Sequence, residues 1–163
     1  MSGAGGHERA DPGSVTSRLA DLGVTLPAVA TPLAAYVPAV RTGNLVYTSG
    51  QLPLAGGEIA HTGKVGADVT PEQAKAAARV CALNGLAAVH ALVGIDAVVR
   101  VVKVVGFVNS APGFTGQPGV VNGASELFGE VFGDAGSHAR SAVGVAELPL
   151  DAPVEVELIV EVR

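Results

Sequence analysis

The chain has 163 residues, 48% of them apolar and 15% charged, enough apolar surface to offset chain entropy in one folded domain and to exclude general disorder. Ten Lys and Arg against fifteen Asp and Glu leave a net charge of −5, the wrong sign for affinity built on phosphate neutralisation, so nucleic acid is disfavoured as a partner. A single cysteine excludes a disulfide framework and a Cys-rich zinc site, and no apolar run reaches the about 18 residues that cross a bilayer, so a soluble cytoplasmic protein with no membrane partner is expected.

Residues 1–13 carry four glycines, a proline and several charges, the composition of a flexible tail. Ser14 then caps a short predicted helix, SVTSRLADLG, that stops at Gly23, so residues 14–27 are taken as a helical extension ahead of the main domain at 28–163. Tyr36 to Arg41 and Asn44 to Thr48, joined at Thr42-Gly43, read as a hairpin. Ser49 to Asp68 is rich in Gly and Pro without a sustained period and is predicted to be a long loop. Thr70-Pro71-Glu72-Gln73 is a capping box with proline at the first helical position, and the alanine-rich sequence behind it predicts a helix to Leu92, before Gly94.

Val98 to Val108 is a β-branched run whose few charges predict a central strand buried on both faces. A second helix is predicted from Pro118 to Phe132, ending at Gly133. Ser141 to Glu147 and Val154 to Arg163 alternate as strands, separated by Leu148 to Pro153. The order β-β-α-β-α-β-β predicts an α/β (α+β) single domain with one mixed sheet backed by two helices.

Two charged residues stand out. Arg140 lies at a strand entrance with Ala142, Gly144 and Ala146 on its own parity, so its planar fork reads either as a carboxylate clamp over a shallow hollow or as a solvated surface arginine. Glu155 alternates with valines that face the core, which makes it either part of a polar sheet face or a carboxylate that orients water and exchanges a proton. If the strands of Arg140 and Glu155 pair as a hairpin around Leu148 to Pro153, the two side chains lie too far apart to hold one small molecule, and a shared site needs two chains.

The remaining signals are weaker. Tyr36 and the Thr48-Ser49-Gly50-Gln51 strand end offer hydroxyl and backbone groups, though turn chemistry accounts for Ser49-Gly50 equally well, and Asn122 near the second helix start is ambiguous. His7, His61, His90 and His138 show no metal-ligand spacing, so no metal is assigned. Cys81, mid-helix among alanines, reads as a small buried hydrophobe. Glycine-rich dinucleotide, NTP and nucleophile-elbow motifs are absent, and no cofactor is expected.

Taken together, Leu45-Val-Tyr-Thr-Ser-Gly-Gln-Leu-Pro53, Val121-Asn122, Ala139-Arg-Ser-Ala-Val-Gly-Val-Ala-Glu-Leu-Pro149 and Val154-Glu-Val-Glu157 resemble the Rid family, also called YjgF or endoribonuclease L-PSP, over residues 28–163. The resemblance implies a chorismate-mutase-like fold, a homotrimer, and clefts between subunits that bind small carboxylates. It also implies hydrolysis of reactive 2-imino acids to 2-keto acids and ammonia. In that reading Arg140 holds the substrate carboxylate, Glu155 lies near the attacking water, and Tyr36, Ser49, Gly50 and Asn122 line the cleft. The chain departs from the pattern with Ala142 where a cysteine is common, with the extension at 1–27, and with a longer loop from Gly56 to Gly66. A non-catalytic carboxylate-binding or holdase trimer is the alternative, and a ribonuclease the third, against which the acidic balance counts.

Overall fold

The computed structural model describes residues 11–29, 32 and 34–163. Of the tail expected at 1–13, residues 1–10 lie outside the described residues, while the Asp11 carbonyl accepts from the Ser14 amide at 2.8 Å and so leads into the first helix. That helix, α1 (Val15–Asp21), has the expected cap, with Ser14 Oγ accepting from the Ser17 amide at 3.0 Å. Its buried Leu19 joins the core, and Thr16 donates through both its amide and its hydroxyl to the Asp96 carboxylate.

Strands β1 (Ala39–Thr42) and β2 (Leu45–Thr48) form the predicted hairpin around Gly43, whose φ of 57° suits glycine. The first strand starts at Ala39, so Tyr36 and Val37 precede it, on the far side of Pro38. Within the expected loop Ser49 to Asp68 lies a small second sheet, β3 (Leu54–Ala55) and β4 (Glu58–Ile59), turning at Gly56-Gly57, where both φ values are positive. Two-residue strands have no period to read, which is why this stretch resembles a loop in sequence.

Helix α2 (Pro71–Val93) carries both halves of its capping box, and α3 (Gln117–Phe132) runs beside it. By length and composition α2 could cross a membrane, but its buried stripe, from Ala74 through Cys81 and Leu86 to Val89, belongs to the core. The helices cross closely because Gly123 has no side chain: a Cβ there would lie 2.0 Å from the Lys75 carbonyl oxygen. Gly85 does the same against Leu158, and Gly106 against Val121, so both helices lie directly on the sheet.

The main sheet has the order β1-β2-β7-β5-β6, with β5 (Val98–Asn109), β6 (Ala139–Val145) and β7 (Val154–Val162). Every pairing is antiparallel except β5 with β6, which are parallel and joined through α3. The mixed sheet backed by two helices is as expected. Two expectations are corrected. First, β6 and β7 do not form a hairpin: β5, the longest strand, lies between them, and the connection from Ala146 to Pro153 passes its end. Fully buried Asn109 ties that connection down, its Nδ2 reaching the Asp151 carboxylate and the Ala152 carbonyl. Second, β5 is buried on one face only. Val101, Val104 and Val108 face the helices, while Val105 and Phe107 share with Tyr47, Val143 and Glu155 a face that no helix among the described residues covers.

Candidate functional site

The seven residues singled out in the sequence fall into two groups on opposite faces of the sheet. Arg140 is the second residue of β6 and pairs with buried Val104, so its side chain points toward α3. There its Nη1 donates to Asn122 Oδ1 at 2.7 Å and to Ser125 Oγ at 3.2 Å. Asn122 and Ser125 are three residues apart, which places them on one face of the helix. The guanidinium is therefore half-buried and held, not the solvated surface arginine its spacing also allowed. Both Nη1 hydrogens are consumed, while Nε and Nη2 have no acceptor among the described residues.

Ala142 and Gly144 share this parity, but they do not border an open hollow. Ala142 pairs with Gly106 and packs against the core, and a Cβ on Gly144 would meet Gln117 Nε2 and Ser110 Oγ at 2.8 Å each. The small side chains form the floor on which the start of α3 rests, and they position Asn122 and Ser125 over the strand edge.

Two further residues complete this cluster: Ser125, which the sequence did not single out, and His138, which it weighed only as a metal ligand. Ser125 Oγ lies 2.9 Å from His138 Nε2, and His138 Nδ1 lies 2.6 Å from the Gly136 carbonyl oxygen. Two signals could have found them: His138 has the parity of Arg140 two residues ahead of it, and Ser125 follows Asn122 at helical spacing.

The second group lies near the other end of the sheet, with Glu155 on its open face. Glu155 pairs with Phe107 on β5, and its carboxylate rests against Gly50, where a Cβ would stand 2.0 Å from Oε1. A side chain there would have to displace the carboxylate. Burial, and secondarily the charge of Glu157, raise the Glu155 carboxyl above the ordinary glutamate range, and none of the described residues hydrogen-bonds to it. Tyr36 is 53% exposed and borders a cavity of about 100 Å³ with Gly50, Leu52, Asn84 and Leu150. The Ser49 hydroxyl donates to the Val37 carbonyl at 2.6 Å, so it fastens the Tyr36 segment. Leu150, which lines this cavity, and Asp151 after it have φ of 58° and 53°, a left-handed backbone unfavourable for a leucine.

Arg140 and Glu155 do not meet within one chain. With β5 between their strands and three residues of offset along it, their Cα atoms lie about 14 Å apart, and the side chains leave opposite faces. The sequence-based separation therefore holds, though through an intervening strand and not through a hairpin. Among the described residues no three His, Cys, Asp or Glu side chains converge as metal ligands do.

Comparison with known proteins gives a consistent result. Residues 16–162 match a family model described as "YjgF/chorismate_mutase-like, putative endoribonuclease". The chain is 48% identical over 153 residues to Protein TCP17 of Trypanosoma cruzi, covering 93% of this chain and 96% of that one. It is 34% identical over 124 residues to the 2-iminobutanoate/2-iminopropanoate deaminase of Escherichia coli strain K12, covering 76% of this chain and 84% of the deaminase. Among solved structures, the protein Atu1372 of unknown function from Agrobacterium tumefaciens superposes with a TM-score of 0.84 at 49% identity, covering 91% of this chain and 92% of that one.

Proposed function

The chain belongs to the YjgF/chorismate-mutase-like family, and from that membership and the geometry of Arg140 we propose that it hydrolyses small 2-imino acids to 2-keto acids and ammonia. The observation that carries the reading is the Arg140 fork: one nitrogen is fixed to α3 and two others have no acceptor among the described residues, the requirement for a two-pronged contact with a substrate carboxylate. The deaminase relative contributes the reaction class.

A protonated imine is already electrophilic, so the protein has only to hold the carboxylate, place a water and move a proton. Water adds to the imine carbon while a carboxylate takes its proton. The carboxylic acid so formed protonates the amine nitrogen of the adduct. The regenerated carboxylate then takes the hydroxyl proton as the carbonyl forms and the C–N bond breaks, releasing ammonia. Glu155, half-buried, without a hydrogen-bond partner among the described residues and with a raised pKa, suits that exchange.

Because Glu155 and Arg140 point away from each other, the pair acts at one substrate only if Glu155 comes from a neighbouring copy. The open sheet face supports such an assembly: Val40, Tyr47 and Val143 are each at least 43% exposed there. We assign it as a homotrimer, for which light scattering should report three times the chain mass.

The deciding experiment is ammonia release from enzymatically generated 2-iminopropanoate, with Arg140→Ala as the control. Release no faster than the uncatalysed reaction overturns the reading. Refolding Arg140→Ala and Glu155→Ala chains together should restore part of the activity, and mixed trimers without recovery refute the shared site. The separation of the two side chains also favours a second reading, a non-catalytic binder of small carboxylates. That protein would bind the keto acid and release no ammonia.

A further inference from the structure

We propose that Ser125 and His138 are positioning residues that fix which edge of the Arg140 guanidinium meets the substrate carboxylate. The inference rests on the reading of Arg140 as the carboxylate holder and names the residues that make it selective.

The hydrogen-bond directions follow from chemistry. The Gly136 carbonyl can only accept, so His138 Nδ1, 2.6 Å away, carries a proton and donates it. In the neutral ring Nε2 then has a lone pair, and Ser125 Oγ, at 2.9 Å, donates to it. Having spent its proton there, Ser125 presents only lone pairs to Arg140 Nη1 at 3.2 Å. One polarity runs along the whole chain, from Arg140 through Ser125 and His138 to the backbone of the turn before β6.

Both ends of this chain are anchored. The His138 ring meets fully buried Phe128 edge-on, with centroids 5.8 Å apart at 87°, so it cannot swing without disturbing the core. Gly136 packs so closely on the end of α3 that a Cβ would lie 2.2 Å from the Phe128 carbonyl oxygen, which fixes the acceptor.

Asn122 alone would hold the guanidinium at one point, about which it can turn. With Ser125 taking the second Nη1 hydrogen, the end-on edge formed by Nη1 and Nη2 loses one prong. What remains is the side-on edge of Nε and Nη2, with parallel donors matched to two carboxylate oxygens. The Ser-His pair thus sets the direction from which a carboxylate docks, and with it the position of the imine carbon.

The test uses the full chain and propanoate, a carboxylate that cannot react. The Arg140 Nε–H resonance is assigned by its loss in Arg140→Lys, and affinity is measured by calorimetry. In the wild type, propanoate should move that proton downfield, and nitrogen shifts should show His138 as the Nδ1–H tautomer. Ser125→Ala and His138→Phe should bind propanoate about tenfold more weakly and lose most of the Nε–H shift, whereas Ser125→Thr retains both. Unchanged affinity and shift in both disrupting variants overturn the proposal. So does saturation of the wild type without an Nε–H shift, or an Nε2–H tautomer, neither of which depends on a variant folding. Absence of any propanoate binding by the wild type overturns this proposal and the carboxylate-holder reading together. Propanoate binding as expected with no ammonia release from imines overturns the deaminase reading alone.

Discussion

The Arg140 and Glu155 regions are built on opposite plans. At Arg140 three side chains from α3 and the β6 entrance form a hydrogen-bonded chain, and the guanidinium is fixed at one end and open at the other. At Glu155 no described residue offers a hydrogen bond or an ion pair: the carboxylate rests against Gly50, with burial and then the Glu157 charge keeping its pKa raised. The difference reflects what each group is suited to do. A group that binds a planar anion gains from fixed direction, and hydrogen bonds supply it. A group that exchanges a proton gains from a pKa nearer neutrality, which a donor to its charged form would lower.

The comparison can be broken most severely at Arg140. Arg140→Lys keeps the charge but loses the fork, and because a hydrogen bond to a charged group contributes about 1.5–3 kcal/mol, kcat/KM on imino acids should fall about 10- to 100-fold with the melting temperature unchanged. Wild-type turnover in the lysine variant would show that direction is irrelevant at this residue. Gly123→Ala attacks the same half through the fold. Its methyl would stand 2.0 Å from a backbone oxygen that cannot step aside, so α2 and α3 must separate at a cost of about 1–3 kcal/mol. Chemical denaturation measures that loss, and a variant as stable as the wild type would show the helix crossing to be looser than described.

How much of this was legible in the sequence depends on the range of the interaction. The capping box Thr70 to Gln73 and the alternation from Val154 are local patterns, and both elements form where they were expected. The TSGQ and ARS elements likewise pointed to the family that the chain belongs to. Strand adjacency is not local: β6 and β7 follow each other in the chain, yet β5 separates them, and no short-range period records that. The burial of β5 was over-read for a related reason, since a valine-rich run looks the same whether its second face is covered by its own chain or left open. Ser125 was not singled out, and His138 was weighed only as a metal ligand, because a serine in a helix and a lone histidine have many ordinary explanations, which only their distance to each other removes.

The Glu155 half can be sharpened with smaller changes. Gly50→Ala places a methyl where Oε1 now lies, but the clash is with the far end of a flexible side chain, so stability should change by less than about 1 kcal/mol. Activity should fall toward that of Glu155→Ala, because the carboxylate is displaced. Retained activity would mean that its present position is not the one used.

The smallest expected effect is on stability at Glu155 itself, and its sign is fixed by linkage. The folded state raises this carboxyl, so between the unfolded and folded pKa values the folded chain holds more protons than the unfolded one. Stability therefore falls as pH rises through that window, and above it the ionised carboxylate imposes a constant cost, moderated because the side chain is partly in contact with solvent. A glutamine remains neutral throughout. Glu155→Gln should accordingly melt slightly higher than the wild type near pH 7, by about a degree, and the advantage should vanish below about pH 4, where both side chains are neutral. The same variant should lose activity and with it the acid limb of the pH profile. A glutamine variant less stable than the wild type at neutral pH would mean that an unseen donor stabilises the carboxylate, and the contrast between the two halves would then collapse.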